Sequence, residues 1–337
     1  MKAAYIESHG GPEVLKVGEL KEPEIKEGYV KVRVIASSLN HLDLWVRRGI
    51  PNLKIEYPHI LGSDISGTIE EISDEEVSFK KGDRVILYPA TFCGGCENCI
   101  SGKENLCREY KILGENTKGG NAEFIVVKKE LLMPYPENLS FEEAASIPLT
   151  LLTAMQMIEK SNIKPMDTAL VMAAGSGVSV MLIQILKAMN VYVITTSSKE
   201  EKLKKAKELG ADELINYSEE GWEKKLKNKK IDVIFDHTGK NFLFSLLKIV
   251  KWGGKIVTCG ATSGYDAKVD LRYIFFKQIE LIGSTMGARK HLLKGLEFVK
   301  KGKVKPFIHT VLPLEDIRKA HELLEERKVF GKVVLKI

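Results

Sequence analysis

The sequence predicts an α/β protein: a doubly wound parallel sheet joined to a second, β-rich domain. Three observations carry this. Residues 141–284 alternate short apolar runs with helix-period stretches, the pattern of parallel βαβ units with right-handed crossovers. Residues 1–140 hold short alternating or apolar segments cut by Gly, Pro and Asp, which read as strands and turns. A length of 337 residues, 44% hydrophobic and 28% charged, supplies two ordinary cores.

The elements follow in order. Tyr29–Ile35 and Ser66–Ile72 read as strands, and Lys81-Gly82-Asp83 is a turn feeding the strand Arg84–Leu87. An amphipathic stretch at Leu151–Lys160 precedes the apolar run Thr168–Ala174. A helical pattern covers Val178–Met189, Val191–Thr196 is a strand, and Lys199–Leu209 is a helix closed by Gly210. Asp232–Asp236, Lys255–Cys259 and Glu280–Ser284 are further short strands. From Arg289 the tail holds two helical stretches and a last strand, Lys332–Ile337, expected to rejoin the first domain. The expected division is therefore 1–140 with 285–337, and 141–284.

No apolar run approaches the ~18 residues of a membrane span. The start turns polar at Glu7, too soon for a signal peptide, so a cytoplasmic protein is expected. The net charge of +6 is spread among mixed signs, as in Lys199-Glu200-Glu201-Lys202. That pattern describes solvated helix faces and gives no nucleic-acid stripe. Abundant Lys and Glu with only three Gln suggest a hot habitat.

Four of five cysteines, Cys93, Cys96, Cys99 and Cys107, form the spacing C-x2-C-x2-C-x7-C in a lobe spanning about residues 90–112. Thiolates two residues apart can face one tetrahedral ion, and four close its shell, so one structural zinc is expected. An iron–sulfur run would need a three-residue last gap followed by Pro; here Arg108 follows a gap of seven. A metal-free or oxidised lobe is the alternative. Cys259 reads as a small buried residue.

A strand running into Ala173–Ser179 and a helix is the setting of a dinucleotide turn. Gly175, Ser176, Gly177 and Val178 would bring backbone N–H groups to a pyrophosphate at the positive helix end. The glycine fingerprint is incomplete, and a plain tight turn is the competing reading. Ser197, Ser198 and Lys199 end the second strand where an NAD site usually places a carboxylate. Hydroxyls and an ammonium favour NADP(H), with NAD(H) left open. Alternatively, Lys199 and Lys202 are only solvated first-turn residues.

Across its whole length the chain resembles the medium-chain dehydrogenase/reductase superfamily. The resemblance rests on Gly11-Pro12-Glu13-Val14-Leu15, Asn40-His41-Leu42-Asp43, Leu61-Gly62-Ser63-Asp64, the cysteine lobe, Pro148–Thr153, the Ala173–Val178 turn and Gly331-Lys332-Val333-Val334. It implies a GroES-like catalytic domain and a Rossmann domain, with the active site in the cleft between them. The catalytic zinc of the family's alcohol dehydrogenases is held by Cys, His and Cys or Asp. Those places fall here on Asn40, Ser63 and Leu149, and the proton-relay hydroxyl falls on Leu42. Asn40 with Gly62-Ser63-Asp64 is similar instead to the quinone oxidoreductase and enoyl reductase branch, which usually lacks the cysteine lobe.

The resemblance also implies individual roles. Thr153 would bond the nicotinamide carboxamide, and Tyr217 would lie against a 2′-phosphate. Gly260, Ala261 and Thr262, with Ser284-Thr285, would face the nicotinamide, and Lys332 would reach the pyrophosphate. The expected chemistry is hydride transfer to a polarised C=C bond or quinone, a small-molecule substrate. Without a metal, donors must hold the developing oxyanion. Asn40 is the side-chain candidate, assisted by Thr153 and N–H groups near Gly260. His41, His59, His237 or water would supply the proton. Two other readings stand beside this one. The first is alcohol or aldehyde interconversion at a non-standard metal site of His41, His59 and Asp64. The second is a non-enzymatic crystallin-like or RNA-binding protein. Glu280–Ser284, as an edge strand, suggests a homodimer or homotetramer.

Overall fold

A computed structural model describes residues 1–73 and 78–337. The chain divides into two compact units, Met1–Leu149 with Pro306–Ile337, and Thr150–Lys305.

The first unit is built on a seven-stranded sheet. Its path runs Leu132–Pro134, Arg84–Leu87, Asp64–Ile72, Tyr29–Ser38, Lys332–Lys336, Ile308–Pro313, and Phe124–Lys128 also pairs with Tyr29–Ser38. The last strand pairs antiparallel with Tyr29–Ser38, Val334 opposite Ser38, which places the chain's end beside the residues that lead into Asn40. A smaller sheet joins Lys16–Glu19, Lys2–Ile6 and His59–Ile60. Ala4, Ile6, Leu39, Leu44, Leu61 and Leu335 belong to one buried cluster, so both ends of the chain share a core.

The second unit is a six-stranded parallel sheet. Its order is Glu213–Asn216, Tyr192–Ser197, Thr168–Val171, Ile231–Asp236, Val250–Thr258, Glu280–Gly283. The first strand in sequence is thus central, and the order reverses beside it. That switch point is where doubly wound sheets bind ligands, outside the carboxyl ends of their strands. Strands and helices fall within a few residues of the positions read from the sequence. Val250–Thr258 begins five residues earlier than expected, and among the elements not foreseen are the helices His41–Arg48, Phe141–Ala145, Leu243–Ile249 and Leu271–Lys277 and the strands Glu213–Asn216 and Ile308–Pro313.

Two boundary segments sit differently from the sequence expectation. Residues 141–149 stay with the first unit. Ser66 donates to Phe141 O at 2.6 Å, Ser38 donates to Ala145 O at 3.0 Å, and Ala145 packs with Ala36 and Val334. Residues 285–305 belong to the second unit. The helix Arg289–Lys300 buries Leu292, Leu296 and Val299, its Lys290 and Lys294 pair with Glu159, and Gln184 bonds Lys305 in both directions. Among the described residues no helix is long and apolar enough to cross a membrane.

Candidate functional site

The cysteine lobe is closed at its base by the paired strands Ala90–Thr91 and Lys111–Ile112. Gly94 turns the chain at φ +82°, a left-handed conformation that glycine adopts without strain. The four sulfurs lie within 4.8 Å of one another. Cys93–Cys107 and Cys96–Cys99 are 3.5 Å apart, and Cys93–Cys99 3.8 Å. A tetrahedron with Zn–S bonds of about 2.3 Å has edges of about 3.8 Å, so the donor set fits zinc. Backbone N–H groups of Cys96 and Gly95 lower the Cys93 thiol to about 7, while burial pushes Cys99 up to about 12.

A second polar cluster lies in the first unit. Asn40 stands at the N-terminal cap of the helix His41–Arg48, yet its side chain makes no bond to that helix. Asp43 does the capping: its carboxylate accepts the N–H of Asn40 at 2.7 Å and of Gly62 at 2.9 Å. It thereby ties the Asn40 loop to Gly62-Ser63-Asp64. Burial raises the Asp43 carboxyl to about 6, against these two donors. The Asn40 amide is thus free for other partners. Its Oδ1 accepts from Lys332 Nζ at 2.7 Å, and its Nδ2 donates to Asp64 Oδ2 at 2.9 Å. Lys332 closes the triangle on the same Asp64 oxygen at 2.9 Å. Asp64 Oδ1 accepts the N–H of Leu149 at 2.6 Å. All three side chains are buried.

These contacts decide what the cluster can do. Asp64 is neutralised by an ammonium, and the Asn40 oxygen already faces a cation. Leu149 contributes a hydrocarbon, and the Ser63 hydroxyl is buried with no hydrogen-bond partner. The set does not fit a catalytic zinc, which needs thiolate, imidazole or carboxylate lone pairs. It offers N–H groups: one remaining on Asn40 Nδ2 and one on Lys332 Nζ. Among the described residues the cysteine lobe is the one metal-holding group, so His41, His59 and Asp64 do not assemble the non-standard metal site considered above. His59 is buried with Nε2 3.1 Å from Gly114 O, and burial lowers its affinity for a proton. His41 is half-buried beside the Trp45 ring. Lys332, expected at a pyrophosphate, is engaged by Asp64 and Asn40.

The turn Ala173–Ser179, read above as a dinucleotide site, lies in the second unit at the switch point. Ala173 adopts φ +52° and is held there by Thr196, whose hydroxyl accepts the Ala173 N–H and whose carbonyl accepts the Ala174 N–H. Ser176 caps the helix Gly177–Ala188, its hydroxyl accepting the Ser179 N–H at 3.0 Å. A Cβ on Gly175 would stand 2.8 Å from Lys202 Cδ and 3.3 Å from its Nζ. Lys202 therefore lies along the glycine turn, a placement the sequence reading missed in favour of exposed Lys199; helical spacing from Ser198 was the available signal. Ser197 is buried and accepts the Lys199 N–H at 3.2 Å, and Ser198 is exposed. Glu200, the first carboxylate after the strand, is held by Asn216 Nδ2 at 2.9 Å. Tyr217 stands edge-on to Phe242 at 4.8 Å. Gly260, Ala261 and Thr262 follow the strand Val250–Thr258. Thr262 donates both N–H and hydroxyl to His237 O at 3.3 Å, joining two strand-end loops on one rim of the sheet. Thr153 is buried in the helix Pro148–Ser161.

Residues 26–137 match the alcohol dehydrogenase GroES-like domain family, and residues 177–301 match the zinc-binding dehydrogenase family. An alcohol dehydrogenase of Geobacillus stearothermophilus is 33% identical over the full length of both chains. An acryloyl-coenzyme A reductase of Metallosphaera sedula is 30% identical over 99% of each. The crystal structure of an NAD-dependent alcohol dehydrogenase superposes with a TM-score of 0.97, at 46% identity and full coverage of both chains. With its GroES-like and Rossmann units, its four-cysteine lobe and these relatives, the chain belongs to the medium-chain dehydrogenase/reductase superfamily and is an oxidoreductase.

Proposed function

We propose that this chain reduces a polarised C=C bond, in an enone, quinone or enoyl thioester, with NADPH and without a catalytic metal. The observation that supports this most is that Asn40, one of the three places matching catalytic-metal ligands, is tied into a buried triangle with Asp64 and Lys332, while the other two places hold Ser63 and Leu149. When bound, the reduced nicotinamide supplies the hydride. The remaining work falls to the protein's own groups. The free N–H of Asn40, beside the Lys332 charge, meets the substrate carbonyl oxygen as negative charge grows on it. Asp64 holds the amide in that orientation, and the buried surroundings strengthen the bond. The proton comes from water or from the half-buried His41.

Lys202 along the glycine turn, with Ser197, Ser198, Lys199 and Tyr217, supports NADPH over NADH, because ammonium and hydroxyl groups suit a 2′-phosphate. Thr153 and Gly260-Ala261-Thr262 take the nicotinamide end, and Gly175 to Val178 the pyrophosphate. The cysteines of the lobe would hold one structural zinc. The edge strand Glu280–Gly283, with exposed Leu271, Phe275, Phe276 and Leu281 nearby in sequence, supports a homodimer or homotetramer.

The test is nicotinamide absorbance during turnover. NADPH is expected to be oxidised by enones, quinones or enoyl thioesters, with NADH slower. Oxidation of alcohols at comparable rates, abolished by chelation, would overturn the proposal in favour of metal-dependent alcohol chemistry.

A further inference from the structure

Ser176 stands where the dinucleotide fingerprint places its middle glycine, the position at which the backbone approaches the pyrophosphate. A side chain there needs to be held aside or used. Ser176 Oγ lies 2.9 Å from Ser179 Oγ and 2.8 Å from His237 Nε2. Ser179 Oγ lies 3.1 Å from the same Nε2 and donates to the Met172 carbonyl at 2.8 Å.

Counting protons fixes the histidine. Each hydroxyl has one proton to give. Ser179 gives its own to Met172 O. With a bare Nε2, the one Ser176 proton would have to serve both Nε2 and Ser179 Oγ, and the Ser179–Nε2 contact would set lone pair against lone pair. With a proton on Nε2, that one N–H faces both hydroxyls, Ser176 donates to Ser179, and no lone pair is set against another. Burial lowers the affinity of the His237 ring for a second proton, with Asp236 and the His237 and Met172 carbonyls acting the other way. The loop that carries the ring is also held. Asp236 accepts the N–H groups of Thr238 at 2.9 Å and Gly239 at 3.1 Å, and Thr262 donates to His237 O.

We propose that His237 is a positioning residue of the nucleotide turn. In the free protein the protons run from His237 to Ser176, to Ser179, to Met172 O. When a dinucleotide arrives, His237 donates to Ser179 instead, and the Ser176 hydroxyl turns its proton to a phosphate oxygen. The switch moves two hydrogen atoms and needs no backbone change. It rests on the reading of Ala173–Val178 as a dinucleotide turn.

Two measurements test it. Nitrogen-15 NMR of the histidine rings in the nucleotide-free wild type reads the tautomer directly, and a proton on Nε2 of His237 is expected. NADPH titration followed by fluorescence reads the coupling. His237→Ala is expected to weaken binding about fivefold, the worth of one hydrogen bond. His237→Asn, which keeps an N–H donor, is expected to recover most of that loss. Ser176→Ala/His237→Ala is expected to bind no worse than the weaker single variant. An Nδ1–H ring, unchanged binding in His237→Ala, or strictly additive losses would overturn the proposal. A wild type that binds neither NADPH nor NADH would overturn the nucleotide reading as well. A wild type that binds nucleotide through an Nδ1–H ring overturns the role of His237 alone.

Discussion

Lys332 Nζ and Asp64 Oδ2 are 2.9 Å apart at sites that are 3% and 0% exposed, so removing either charge strands the other away from water. Lys332→Met is expected to lower stability by about 3–5 kcal/mol, read by chemical denaturation. Asn40→Ala leaves that pair intact but removes the whole amide, both the oxygen that accepts from Lys332 and the N–H donor. It is expected to lower kcat for an enone about a hundredfold or more, with a much smaller change in nucleotide affinity. Asp43 gives a pH prediction. Its folded carboxyl is raised to about 6 from 3.8, with burial the leading cause. A raised pKa means the folded chain takes up the proton first. The stabilisation is full below pH 3.8 and is lost as pH rises through 6. Wild type should therefore gain stability relative to Asp43→Asn between pH 8 and pH 5; a flat difference in denaturation midpoints would contradict this. The sequence showed Asn40 as a donor. It did not show that the Asn40 amide is set by Lys332. Those two residues are 292 positions apart, and only the antiparallel pairing of Lys332–Lys336 with Tyr29–Ser38 joins them.

At the scale of elements, the cysteine lobe and the glycine turn were legible because each is local: its chemistry lies within one short segment. Lys202 was not, since its position follows from how the helix Glu200–Glu208 starts after Ser197. Lys202→Ala is expected to raise KM for NADPH several-fold while leaving NADH nearly unchanged, checked by steady-state kinetics with both nucleotides. Equal losses with the two would assign Lys202 to the pyrophosphate instead. The lobe makes a stability prediction. Cys96→Ser should release zinc and lower the melting midpoint, each kcal/mol lost being worth roughly 2–4 °C in a domain of this class. Activity below the transition should persist, because the lobe's four sulfurs leave no open position for substrate.

For the whole molecule, the parallel order of the second sheet and the return of the last strand to the first unit follow from alternation and crossover rules. The boundaries were harder to read. Residues 141–149 and 285–305 carry helical patterns that suit either unit, and what assigns them is long-range: Phe141 O under Ser66, and Glu159 against Lys290 and Lys294. From the edge strand Glu280–Gly283, a solution mass of two or four chains is expected by light scattering, and a single-chain mass would contradict this. One zinc is expected in the closed cysteine lobe and none at the places of the catalytic ligands, which hold Asn40, Ser63 and Leu149. Elemental analysis of protein purified without chelator tests it most directly. One zinc per chain is the predicted result, and a value near two in catalytically active protein would contradict the account.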